Sequence, residues 1–354
     1  MSSEKDEVNL VTIVSKQYYY EGKTQDEISR TLNLSRTKIG RLLRRARELG
    51  LVTVRINLNP MEFSVLEQEL RARFGVQRAL IAIDHNDEAQ QRTAVAQLVA
   101  DYLGETLTGE TTVAIGMGRN LGAVTANLGT PKFRGCAFVS SIGGSLKAGE
   151  GLNSDHIARR FGAAFGGRSE TLYAPAHVSN PALRELLLND ETVQHTLNRA
   201  RRADAALIGI GDLSESSYLV KMGWYTPLEI ARARLNGTVV DVSGYDFLDI
   251  DGQPSAPELR HRVIGLSHED FRRIPNVIAV ASERNKTLPL LGALRSGIIN
   301  TLATSAENVR SIIELDEQTN GRGLGNRDTG TPVKSGPANT VSEPPSFPRS
   351  DEGG

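Results

Sequence analysis

The stretch Ser35–Gly50 carries six basic side chains, Arg36, Lys38, Arg41, Arg44, Arg45 and Arg47, against one acid, Glu48. A helix bearing them presents a cationic face suited to the polyanionic surface of a nucleic acid. Position divides their work. Arg36, Thr37, Lys38 and Arg41 stand near the helix start, where side chains reach base edges in the major groove. Arg44, Arg45 and Arg47 suit phosphates, which give affinity without sequence choice. Thr24 and Gln25, at the head of the preceding helical pattern, complete this candidate set. Taken alone, a charge run more often marks an ordinary solvated helix face.

A second group has the chemistry to hold a small hydroxylated or anionic ligand. Gly116-Met-Gly-Arg-Asn120 follows the apolar run Thr112–Ile115 and precedes a helical pattern. Glycine there lets the backbone approach an anion and the helix start offers free N–H groups; Arg119, between Gly118 and Asn120, adds charge-assisted hydrogen bonds. Ser141-Ile-Gly-Gly-Ser145, with Gly143 and Gly144, is another glycine turn after a strand. Either turn is also compatible with a purely structural bend. Asn153 and Asp155, at the next helix start, can bond sugar hydroxyls or cap the helix. Asp241, directly after Val239 and Val240, can accept from hydroxyls or cap a turn. Lys286 follows the run Val277–Ala281 and can meet an anionic group or remain solvated.

The elements that must position these residues are legible in outline. Leu10, Val11, Val14 and Tyr18 have helical spacing within Glu7–Tyr20, and Gly22 breaks the pattern. Thr24-Gln-Asp-Glu27 is a capping box that opens a second helix ending near Leu32. Asn33 supplies a turn, Ser35 caps a third helix through Leu49, and Gly50 stops it. Ile28, Leu32, Leu34, Ile39, Leu42 and Leu43 are spaced to lock the second and third helices together, a helix-turn-helix. Leu51–Ile56 alternates like a short strand, a candidate wing. These features make residues 1–58 the first expected domain. Residues 59–316 make the second, an α/β domain: Ala79–Ile83, Thr112–Ile115, Ala137–Ser141, Ala205–Ile210 and Val277–Ala281 alternate with helical patterns. That alternation predicts a mainly parallel, doubly wound sheet. Segment 61–73 joins the two through Phe63, Leu66 and Leu70, pairing subunits or packing on its own domain. Residues 317–354 are expected to be a disordered tail, since twelve of the 34 residues from Gly321 to Gly354 are glycine or proline.

Composition narrows the function classes. A formal net charge of −1, 39% hydrophobic and 23% charged residues suit a globular chain with a large core. The single cysteine, Cys136, lies in an apolar run and reads as a small buried residue rather than a metal ligand. No apolar stretch approaches a membrane span and MSSEKDEVN is unlike a signal peptide, so a cytoplasmic location and no membrane partner are expected. His85, His156, His177, His195, His261 and His268 are scattered without metal-ligand spacing, and no cofactor is expected. Catalysis would need a tuned base beside a substrate. His156 stands nearest the proposed pocket, but a surface position is the simpler reading.

The segment YYYEGKTQDEISRTLNLSRTKIGRLLRRARELGLVTVRI resembles the N-terminal region of SorC/DeoR-type sugar-binding transcriptional regulators. The likeness continues in order through IGMGRNL, SIGGS, NSDHIARRF, LIGIGD, GTVVDVSGYDFLDIDG and VIAVASERNKTLPLLGAL, nearly everything but the tail. It implies a winged-helix or related DNA-binding domain and an effector domain similar to sugar-phosphate isomerases. It also implies dimers or tetramers whose operator affinity responds to a sugar phosphate, sugar or polyol. Under that resemblance Gly118, Arg119 and Asn120 form the ligand loop, and Asn153, Asp241 and Lys286 contact the effector, the lysine near phosphate. Ile142 stands where one branch carries a Schiff-base lysine, so binding is expected to be reversible. Arg119 and Asn120 replace paired threonines of other relatives, leaving phosphorylated and unphosphorylated ligands both open. An isomerase-like enzyme on a DNA anchor is the alternative that this fold implies.

Overall fold

Val11, Val14, Ile28, Ile39, Leu42, Leu43 and Ala46 are buried together and form the core of a small helical unit, residues 1–62. In this computed structural model residues 2–49, 51–52, 60–129, 135–215, 217–244 and 246–324 are described. Helix α1 (Ser2–Ser15) continues as a π-helical turn, Lys16–Tyr20. Helix α2 (Gln25–Leu32) begins with the full capping box. The Glu27 N–H donates to the Thr24 hydroxyl at 3.3 Å and the Thr24 N–H to the Glu27 carboxylate at 2.8 Å. Asn33 closes α2 in the left-handed region at φ 52°, a conformation its short polar side chain tolerates. The Ser29 hydroxyl donates to the Leu34 carbonyl and ties the turn. Ser35 accepts from the Lys38 N–H and opens α3 (Arg36–Glu48). The buried positions of α3, 39, 42, 43 and 46, follow the helical period, which turns the intervening basic residues outward. Of the expected wing, Leu51 and Val52 are a bend and coil; 53–56 lie outside the described residues.

The second unit, 63–354, is built on a sheet whose strands between the two edges are largely buried on both faces. They are β1 (Arg78–Ala82), β2 (Thr112–Ile115), β3 (Ala137–Ser140), β4 (Arg168–Glu170), β5 (Ala205–Asp212), β6 (Thr238–Val242), β7 (Asp246–Asp249), β8 (Asn276–Val280) and β9 (Thr301–Ser305). The parallel part runs β1-β9-β8-β5-β2-β3-β4. Period-two alternation divides two cores: Ala206, Ile208, Val277 and Ala279 face one, Ala205, Leu207, Ile278 and Val280 the other. Helices α5 (Glu88–Thr106), α6 (Arg119–Ala126) and α7 (Ser154–Ala164) cover the second face. The first face is covered by α4 (Pro60–Phe74) and by helices Glu191–Arg201, Thr287–Arg295 and Ala306–Leu324. On α4, Leu70 is fully buried and Phe63 and Leu66 pack on the same core, so this segment packs on its own domain.

Two features position the site. The chain leaves β2 toward β3 and β4, then returns to β5 on the other side of β2, a switch point at which carboxyl ends diverge around a crevice. In addition, β5 changes partner along its length. Residues 205–209 pair in parallel with β8, while Ile210–Asp212 pair antiparallel with β6, which hairpins into β7. A third apolar cluster, including Met117, Ile142, Leu219, Met222 and Trp224, supports the loops beyond the strand ends.

The expected tail boundary at 317 is corrected. The last helix runs through Leu324, because Asp316, Glu317 and Thr319 are anchored: Arg295 donates to Asp316 at 2.7 Å and to Thr319 at 2.6 Å, and Arg73 to Glu317 at 2.6 Å. Residues 325–354 lie outside the described residues. Cys136 is buried and its thiol donates to the Thr108 carbonyl at 3.2 Å.

Candidate functional site

Gly118 opens α6, its N–H donating to the Leu152 carbonyl at 2.9 Å. The next two residues meet one carboxylate. Asn120, 7% exposed, donates through Nδ2 to Glu283 at 3.0 Å and accepts from the Ser282 hydroxyl at 2.6 Å. Arg119, half-exposed, lies 3.5 Å from the same carboxylate, and Arg92 lies 4.0 Å from it. Burial works against the charge on Glu283, but Lys286, the Asn120 amide, the Glu283 backbone N–H and Arg119 hold it below the usual carboxylate range. It is ionised at neutral pH.

Across the cleft, the end of β5 carries Asp212, which accepts from buried Lys286 at 2.8 Å and from the Ser214 N–H at 2.9 Å. Partial burial opposes ionisation, yet the lysine charge and these bonds bring the Asp212 pKa down to about 2. Asp241 on β6 is 6% exposed, and its Oδ1 has no hydrogen-bond partner. Burial outweighs the Gly244 N–H and Lys286 and lifts its pKa to about 7. It packs so closely on β5 that a Cβ at Gly211 would overlap its carboxyl, a close approach that requires glycine. Beside it Ser243 adopts φ 56°, a strained value for a side-chain-bearing residue, and its buried hydroxyl also lacks a partner. Strain and unfilled hydrogen-bonding capacity at one spot are features of sites kept for a ligand rather than for stability.

Arg119, Glu283 and Lys286 stand between two adjoining spaces. An inner cavity of about 80 Å³ reaches Asp241, Ser243 and Tyr218, and an outer cleft of about 600 Å³ reaches Asp212, Arg234 and Arg284. The outer volume falls in the range of roughly 300–1,000 Å³ usual for small-molecule sites.

The structure thus brings together Gly118, Arg119, Asn120, Asp241 and Lys286. It places the others elsewhere. A Cβ on Gly143 would lie 2.5 Å from the Ala174 carbonyl, so this glycine serves packing, and the Gly144 N–H donates to that carbonyl. The Asn153 amide is spent on the 145–149 loop: it accepts from the Ser145 N–H at 2.8 Å and donates to the Ser145 and Gly149 carbonyls. It occupies the helix-cap position without capping through its side chain. Asp155 pairs with Arg159 at 2.7 Å, one turn along α7. Gly144, Asn153 and Asp155 line a separate cavity, next to Tyr173. Asp212 and Glu283 were missed from sequence, although both lie in motifs that carry the resemblance, LIGIGD and VIAVASERNK.

In the first unit, Thr37, Lys38, Arg41 and Arg44 are exposed on α3. Arg36, also exposed, lies 3.5 Å from Asp26. Arg45 is exposed as well. Thr24 is committed to its capping box, and the Gln25 side chain lies over Gly40, 3.8 Å from where a Cβ there would sit.

The profile of the family described as "Putative sugar-binding domain" matches residues 59–314, well over half of the chain. The chain belongs to this family, the sugar-binding domains of SorC/DeoR-type regulators. Its sugar-binding domain resembles a solved domain of the same description from a transcriptional repressor of Vibrio fischeri, with 46% identity, TM-score 0.68, and 72% of this chain and 99% of that one covered. The full-length sorbitol operon regulator SorC of Klebsiella pneumoniae has 26% identity and TM-score 0.66, over 87% of this chain and 99% of its own. The transcriptional regulator LsrR of Klebsiella pneumoniae is 28% identical over 312 residues, 87% of this chain and 94% of that protein. The mixed α/β architecture with a parallel sheet is therefore that of the family. No described helix is long and apolar enough to cross a membrane. Among the described residues of this sugar-binding-family chain, no cluster of His, Cys, Asp and Glu could hold a metal.

Proposed function

We propose that this chain is a DNA-binding transcription regulator of a carbohydrate-use operon, controlled by reversible binding of a sugar, polyol or sugar phosphate. The relatives named as operon and transcriptional regulators, matched over most of both chains, support this over an isomerase on a DNA anchor. In this reading residues 1–58 are a helix-turn-helix, with α3 as recognition helix in the major groove. The residues from 59 to the end of the last helix at Leu324 form the effector-binding and subunit-pairing domain, on a doubly wound sheet of the sugar-phosphate-isomerase kind. Arg36, Thr37, Lys38 and Arg41 read bases, and Arg44 and Arg45 hold phosphates, flanked by Thr24 and Gln25. Two half-sites demand at least two copies of the chain, a dimer or tetramer working in the cytoplasm.

The observation that carries the effector assignment is the buried, unfilled acceptor of Asp241 beside the Asp212–Lys286 pair at the sheet's switch point. A ring or chain of hydroxyls can donate to these carboxyls and accept from the ammonium, replacing the water that an apolar ligand would leave unpaired. The test is an operator-binding titration with promoter fragments from the neighbourhood of its own gene, run with a panel of sugars, polyols and sugar phosphates. Wild type should shift its operator affinity with at least one class of compound. Lys286→Ala should keep its DNA affinity within about twofold and lose the response. A lysine variant that responds like wild type would remove Lys286 from the site, and no DNA binding at low salt under any condition would sink the regulator reading.

A further inference from the structure

We infer that Glu283 is a specificity-determining residue that fills the anion seat at the start of α6, so that this site takes uncharged polyhydroxylated ligands and rejects a phosphate there. The inference rests on the proposed effector site and names its ligand class. The first N–H groups of a helix and a basic residue beside them make a seat for an oxyanion. Here that seat begins at Gly118, and its side-chain donors are Arg119 and Asn120. Both already face a carboxylate of the chain itself: Asn120 donates to Glu283 at 3.0 Å, and Arg119 lies 3.5 Å from it. Glu283 is anchored from behind, its carbonyl accepting from Asn308 at 3.1 Å.

The other cation of the inner cleft is neutralised as well, Lys286 lying 2.8 Å from Asp212. Each of these two cations thus already has a carboxylate partner, and Arg92, the further cation 4.0 Å from Glu283, lines neither space. A phosphate entering beside Arg119 and Lys286 would meet two ionised carboxylates that already occupy those cations, and like charges at such separations repel strongly in a half-buried site. The groups that remain unsatisfied are of another kind. Asp241 Oδ1 and Ser243 Oγ, both buried and without partners, line the inner cavity and suit neutral hydroxyls. Arg234 is exposed and lines the outer cleft but not the inner cavity.

The test uses inorganic phosphate as probe, titrated calorimetrically at low ionic strength into wild type, Glu283→Gln, and Glu283→Gln combined with Arg119→Ala. Sorbitol and sorbitol 6-phosphate are run as a neutral and a charged pair. Wild type should show no saturable phosphate binding in the millimolar range. Glu283→Gln, which keeps an acceptor for Asn120, should gain phosphate affinity at least tenfold, and Arg119→Ala should cancel the gain. Phosphate binding by wild type as tight as by Glu283→Gln would overturn the inference, as would a gain that survives loss of Arg119. If the Gln variant fails to fold, the wild-type arm still decides: saturable millimolar phosphate binding that competes with any polyol refutes the claim, and its absence upholds it. These readouts need no DNA, so a failure here is separable from failure of the regulator reading.

Discussion

Asp241 is held in a state that costs the fold stability, and pH exposes that cost. Its carboxyl keeps a proton up to about pH 7 in the folded chain, whereas an ordinary aspartate releases it near 3.8. Between those values the folded state binds more protons than the unfolded one, so stability falls as pH rises through the window and levels off above it. Asp246, fully buried and pushed up to about 8 by burial, adds a slope of the same sign. Asp212 acts oppositely: its depressed pKa of about 2 gives stability above 3.8 that is lost in acid. Asp241→Asn removes the first contribution alone. The loss in unfolding free energy between pH 5 and pH 8, measured by urea denaturation, should shrink by about 2–3 kcal/mol relative to wild type. Identical losses in the two proteins would mean that Asp241 is ionised throughout.

Local signals made some elements legible and hid others. The α2–α3 pair was readable because its determinants are neighbours in sequence: Thr24 with Glu27, Asn33 at the turn, Ser35 with Lys38. Strands β2, β3, β5 and β8 announced themselves as short apolar runs, as strands buried on both faces do. Strand β9, Thr301–Ser305, escaped because three of its five residues are hydroxylic, although all five are buried. The β6–β7 hairpin and the partner exchange of β5 depend on long-range pairing that no local pattern encodes. The site divides the same way. Arg119, Asn120, Asp241 and Lys286 stood out as polar residues at strand ends, whereas Asp212 and Glu283 acquire meaning only from partners 74 and 163 residues away. At this scale α3 offers a clean test. Ile39 is fully buried in a core of seven side chains, and truncation at such positions costs about 2–5 kcal/mol. That matches the roughly 3–5 kcal/mol that a core of this size can supply. Ile39→Ala should therefore melt the first unit and abolish operator binding while the calorimetric transition of the second unit stays put. An unchanged melting profile with operator affinity within twofold would show that α3 is not held by this core.

For the whole molecule, regulation requires that ligand and operator distinguish the same two states, because an effector that binds both equally shifts nothing. The cleft and the cationic helix lie in different compact units. Whatever the route between them, thermodynamics fixes the outcome: if saturating effector changes operator affinity by a factor, saturating operator must change effector affinity by that same factor. Couplings of this sort are about 1–3 kcal/mol, or about 5- to 150-fold. The polyol or sugar found in the titration panel should thus show two dissociation constants by calorimetry, with and without operator duplex, whose ratio equals the effector-induced ratio for DNA. The sign follows too, since an inducer that releases DNA must bind the DNA-loaded protein more weakly. Unequal ratios under identical salt would mean that a third equilibrium, such as subunit assembly, is linked to one ligand alone, and the two-state account would have to be abandoned.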